Sequence, residues 1–94
     1  MHNNNNLYCI KAVVSGMVQG VGFRQTVLQI AQHFELCGRV KNLRNGTVEL
    51  SAEGDKEKVD SFLKLVQDRF HDNITDIKVN IISSLGYVDY NIDY

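Results

Sequence analysis

The sequence predicts an α+β domain in which two helices cover one face of an antiparallel sheet. Three observations lead there. Two stretches, Phe23 to Phe34 and Lys56 to Phe70, carry their apolar residues along one stripe at helical spacing. Several other stretches alternate apolar and polar residues with a period of two. An Asn45-Gly46 pair stands between two apolar runs, the strongest short-range signal for a hairpin.

Taken in order, Leu7 to Val14 reads as the first strand, with Tyr8, Ile10, Ala12 and Val14 on one face and Cys9, Lys11 and Val13 on the other. A glycine-rich turn follows. In the first helix Phe23, Val27, Ile30, Ala31 and Phe34 form the apolar stripe, and Gln25, Gln29, Gln32 and His33 lie outside it. Leu36 to Leu43 is the second strand, and the Asn45-Gly46 turn returns the chain into a third, Thr47 to Glu53. There Val48, Leu50 and Ala52 point inward and Thr47, Glu49, Ser51 and Glu53 outward. Gly54 ends that strand and Asp55 is placed to cap the second helix, whose stripe is Val59, Phe62, Leu63, Val66 and Phe70. After a turn at His71-Asp72-Asn73, Ile77, Val79 and Ile81 alternate with polar residues in a fourth strand. A short final strand carries Val88, Tyr90, Ile92 and Tyr94. The order β-α-β-β-α-β, plus a short C-terminal strand, is that of the ferredoxin-like sandwich.

The 94 residues suffice for one small domain with a modest core. We place that domain over residues 7–94 and read the polar start, residues 1–6, as a disordered N-terminal tail. That start lacks the basic and apolar regions of a signal peptide. No apolar run approaches the roughly 20 residues of a membrane span, so a cytoplasmic location is expected. A formal net charge of −1 gives no long-range field for nucleic acid or an anionic membrane, so any anion site must be local. Cys9 and Cys37 are too few for a disulfide framework, and sequence alone leaves open whether they pair. His2, His33 and His71 have no metal-ligand spacing, so no metal is expected.

The chemistry concentrates in Ser15-Gly16-Met17-Val18-Gln19-Gly20-Val21-Gly22-Phe23-Arg24, between the first strand and the first helix. Its three glycines allow backbone N–H groups to converge, the helix N-terminus adds partial positive charge, and Arg24 adds a planar fork of donors. It is a candidate oxyanion cradle. The topology adds a neighbour. The first and second strands run parallel with one strand between them, about 10 Å apart at spacings of about 4.8 Å. Asn42, at the end of the second strand, therefore shares the sheet end with the cradle.

The run from Val14 to Arg24 resembles the signature of the acylphosphatase family: a glycine, a valine, Gln-Gly-Val, one variable residue, then Phe-Arg. The likeness continues through Leu36, Gly38, Val40-Lys41-Asn42, Asn45-Gly46, Val48-Glu49 and Glu53-Gly54, and spans about residues 7 to 94. It implies a small, cofactor-free hydrolase of carboxyl-phosphate bonds, acting on a small acyl phosphate and expected to be a monomer. It implies that Arg24 holds the phosphate together with loop N–H groups, that Asn42 positions the attacking water, and that no metal takes part. We take Gln19, Gly20, Val21, Gly22 and Phe23 as the loop donors, with Phe23 also packing in the core. The family often has glycine where Glu35 stands, an aromatic where Arg39 stands, and Gly-Pro near His71-Asp72-Asn73. Either Glu35 takes a left-handed backbone, at a cost of about 1 kcal/mol, or the helix end has shifted.

Two other readings compete. The same element order builds an RNA-recognition domain, but the two central strands offer no aromatic stacking platform. A non-catalytic regulatory domain of this fold that binds small anions is the alternative to an enzyme. Domains of this family also occur within larger carbamoyl-transferring maturation proteins; a chain of this length favours the stand-alone enzyme.

Overall fold

A computed structural model describes residues 7–94. The tail expected over residues 1–6 lies outside the described residues. The alternation from Leu7 builds β1 (Leu7–Gly16), and the two apolar stripes build α1 (Phe23–His33) and α2 (Lys56–Arg69). Between and after them come β2 (Gly38–Asn42), β3 (Val48–Asp55), β4 (Ile74–Ile82) and β5 (Tyr90–Ile92). The sheet order is β4-β1-β3-β2-β5. β3 pairs antiparallel with both β1 and β2, so β1 and β2 point the same way two strands apart.

The register fixes which residues meet. Val14 and Asn42 both pair with Val48, one from each side. Directly paired residues share a face of the sheet, so Asn42 lies in the row of Val14, where the β1–β3 pairing ends, on the face covered by the helices. That face is the core. Ile10, Ala12, Val14, Val40, Val48, Leu50 and Ala52 are sealed beneath Phe23, Val27, Val59, Phe62 and Val66. Phe23 packs edge-on against Phe70 with ring centroids 4.8 Å apart, which locks the first turn of α1 to the end of α2. Asp55 caps α2 by accepting from Glu57 N.

Several details depart from the sequence reading. The sheet is mixed, because β5 runs parallel to β2 rather than closing an antiparallel sheet. Ser51, expected outward, is buried: the connection from β4 to β5 brings Leu85 and Tyr87 over that side of the sheet, and Ser51 Oγ accepts from Arg39 N at 3.0 Å. β2 starts at Gly38 rather than Leu36, because Leu36 closes α1. There Leu36 N donates to Ala31 O and Glu35 N to Gln32 O, each at 3.0 Å, which is a Schellman motif. Its left-handed position is filled by Glu35, with φ of 59°. Val88 is 89% exposed and lies before β5. Cys9 and Cys37 are free thiols. Among the described residues no helix is long and apolar enough to cross a membrane.

Candidate active site

The turn from β1 into α1 is held from both sides before any ligand enters. Met17 N donates to Asn73 O at 2.8 Å, and Asn73 Nδ2 donates back to Met17 O at 3.1 Å. Gly16 is required at this contact, because a Cβ there would come within 2.1 Å of Asn73 O. On the other side Gln19 Nε2 donates to Leu43 O and Thr47 O, each at 2.8 Å. Gln19 thus staples the loop to both sides of the turn that joins β2 and β3. The sequence offered Gln19 as a backbone donor to a ligand; its side chain does a different job, across 24 and 28 residues of chain.

Past the staple, Gly20 and Gly22 take left-handed φ values of 78° and 79°. A Cβ on either would meet nothing within 4 Å. These glycines are therefore needed for backbone direction rather than for packing, and the space above them is open. Gly22 is the N-cap of α1, with no side-chain cap and no acidic residue in the first turn. Among the described residues no side-chain cap or first-turn carboxylate offsets the partial positive charge of the helix start.

A cavity of about 150 Å³ sits over this turn, lined by Val18, Gly20, Gly22, Phe23, Arg24 and Gln25 from the loop and α1, and by Ile92 and Tyr94. Arg24 is half-buried there, and its guanidinium carbon lies 5.1 Å from the Tyr94 ring centroid. Among the described residues no carboxylate pairs with Arg24. Of the residues singled out from sequence, Gly20, Gly22, Phe23 and Arg24 line one cavity. The Val21 side chain is 44% exposed and stands outside it. Asn42 is not part of the cavity wall. It ends β2 at the same end of the sheet, with its Oδ1 buried and, among the described residues, without a hydrogen-bond partner.

Ile92 and Tyr94 were not foreseen at the site. Because β5 runs parallel to β2, its C-terminal end arrives beside the cradle. Arg39 and Lys41 alternate with Val40 and Asn42 and so face the other side of the sheet. There Arg39 pairs with Asp89 at 2.9 Å and Asp93 at 3.6 Å, and stacks on Tyr87 at 4.1 Å. Lys41 stands 4.0 Å from Glu49. These cations are engaged away from the cavity. Among the described residues no group of three or more His, Cys, Asp and Glu side chains could hold a metal ion.

Among the described residues, a helix start without a side-chain cap, an arginine without a carboxylate partner and a glycine turn held from both sides thus meet at one cavity. A profile of the acylphosphatase family matches residues 10–92. An acylphosphatase of Dehalococcoides mccartyi is 43% identical over 91 residues, covering 94% of this chain and all of that protein. Among solved structures, acylphosphatase from Bacillus subtilis superposes with a TM-score of 0.85 at 35% identity, covering 93% of this chain and 99% of that one. An acylphosphatase from Coxiella burnetii gives 0.84 at 31% identity, covering 94% of each chain. This chain belongs to the acylphosphatase family.

Proposed function

We propose that the chain hydrolyses acyl phosphates by in-line attack of water at phosphorus. Arg24 and the N–H groups of Gln19, Gly20, Val21, Gly22 and Phe23 hold the phosphate, and Asn42 positions the water. The family supports the reaction, which turns an acyl phosphate and water into a carboxylate and inorganic phosphate. The observation that supports the residue roles is the cradle itself: an α1 N-terminus without a side-chain cap and an arginine with no carboxylate partner among the described residues face one small cavity.

The chemistry suits so sparse a site. The water oxygen forms a bond to phosphorus while the bond from phosphorus to the bridging oxygen breaks. The electron pair of that bond leaves on the carboxylate. Carboxylates ionise near pH 4, so the leaving group needs no general acid. What remains is to fix the phosphoryl group, stabilise charge on its three equatorial oxygens and hold the water in line. Arg24 and the loop amides supply donors for the equatorial oxygens. The buried, unpartnered Asn42 Oδ1 supplies an acceptor for the water. An amide is too weak a base to keep the proton, so the proton passes to a phosphoryl oxygen and leaves with the product.

Hydrolysis of acetyl phosphate by wild type, Arg24→Ala and Asn42→Ala tests this, with inorganic phosphate as inhibitor. Wild type turns over, and added chelator does not slow it. Arg24→Ala loses about 100- to 1000-fold in kcat/KM and its inhibition by phosphate. Asn42→Ala loses about 100-fold in kcat and keeps that inhibition. An Arg24→Ala variant inhibited by phosphate as strongly as wild type contradicts the role of Arg24.

A further inference from the structure

The cavity over α1 has two unlike sides. Gly20, Gly22 and Arg24 make one, polar and positive. Ile92 and Tyr94, from β5 and the residues after it, make the other. Ile92 is half-buried and packs on the core. Tyr94 is 99% exposed, so core packing does not explain its position. Its ring nevertheless stands 5.1 Å from the Arg24 guanidinium, at the mouth of the anion site.

We propose that Tyr94, backed by Ile92, is the acyl subsite, and that it selects acyl phosphates with an aromatic or bulky apolar acyl group over acetyl phosphate. This rests on the phosphoryl-transfer reading above. In-line displacement puts the water and the leaving group on opposite sides of phosphorus. On the proposed role of Asn42, whose Oδ1 is buried, the water approaches from the inner side of the cradle. The carboxyl leaving group then points outward, where the exposed Tyr94 ring stands. A flat apolar acyl group gains there by removing both its own surface and that of the ring from water, with an added preference for offset or edge-on ring contact. An acetyl group has too little surface to gain the same. Tyr94 also contributes a hydroxyl, but apolar discrimination needs only the ring, so phenylalanine should serve.

The test is the ratio of kcat/KM for benzoyl phosphate to that for acetyl phosphate, in wild type, Tyr94→Ala and Tyr94→Phe, with inhibition by inorganic phosphate measured alongside. The ratio falls about five- to tenfold in Tyr94→Ala and stays within twofold of wild type in Tyr94→Phe. Inhibition by phosphate is unchanged in both, because phosphate does not reach the acyl side. Equal losses on the two substrates with weakened phosphate inhibition would mean that Tyr94 merely positions Arg24, and would overturn the proposal. An unchanged ratio in Tyr94→Ala, in an enzyme that turns over both substrates, overturns the acyl subsite alone. Failure of wild type to hydrolyse either substrate overturns the phosphoryl-transfer reading with it.

Discussion

In the proposed mechanism Arg24 and Asn42 divide the work by what their side chains can do. A guanidinium is always charged and offers a rigid fork of donors, so it fits the oxygens of a phosphate. A primary amide offers one acceptor and two donors without charge, so it can orient a water without repelling the anion beside it. Glu35 shows a single residue set against its backbone. It holds φ of 59° at the Schellman position of α1, the one non-glycine with positive φ among the described residues. Its exposed ion pair with Lys58, at 3.2 Å, offers little in return. Glu35→Gly should therefore stabilise the protein by about 0.5–1 kcal/mol in denaturant unfolding without altering turnover. A destabilised Glu35→Gly variant would mean that the pair with Lys58 outweighs the strain. The family resemblance in the sequence pointed to this position; only the backbone settles that the helix end has not shifted to avoid it.

At the scale of elements, the loop between β1 and α1 works because its neighbours hold it. The Asn73 turn fixes its base, and the β2–β3 hairpin fixes its middle through Gln19. In the proposed reading such a loop meets the anion with little ordering left to do, which is where binding strength is otherwise lost. Gln19→Ala removes two hydrogen bonds from the loop side. Its KM for acyl phosphate and its inhibition constant for phosphate should each rise about three- to tenfold, with a smaller change in kcat. Unchanged constants would show that the loop amides hold their places unaided. The cradle was legible in sequence because glycines, a strand end and a helix start are local signals. The staple was not, since a side chain reaching backbone carbonyls across a hairpin leaves no periodic trace. Ile92 and Tyr94 were hidden for a similar reason: alternation identifies a strand, but not that it will lie parallel to β2 and bring its end to the cradle.

For the whole molecule, the two apolar stripes and the alternating strands were enough to give the sandwich, because each helix and sheet face must be covered and few arrangements cover them all. What alternation could not give was Ser51, buried by a connection whose path depends on β5. Tyr90 ties β5 into the core. Burial pushes its phenol well above the usual tyrosine range, the Arg39 charge opposing only in part, and its hydroxyl donates to Arg39 O at 3.2 Å. The neutral phenol is thus favoured by folding. Its contribution is intact below pH about 10, where tyrosine in the unfolded chain ionises, and is lost as pH rises beyond that. Wild-type stability should fall above pH 10, by up to about 1.4 kcal/mol per pH unit from this group. Tyr90→Phe should be less stable at neutral pH by about 1 kcal/mol and show a shallower alkaline decline. Parallel declines in the two proteins would place the alkaline loss elsewhere. Burial also raises the Cys9 thiol, with Glu53 adding to it, and that gives a decline of the same sign which both proteins share.

The central claim is that the cradle fixes phosphorus for attack by water. Hydrolysis of acetyl phosphate in water enriched in oxygen-18, followed by mass analysis of both products, tests it most directly. Attack at phosphorus puts the label in inorganic phosphate and none in acetate. Label in the acetate would mean that water attacks the carbonyl carbon, and would contradict the roles given to Arg24, the loop and Asn42 together.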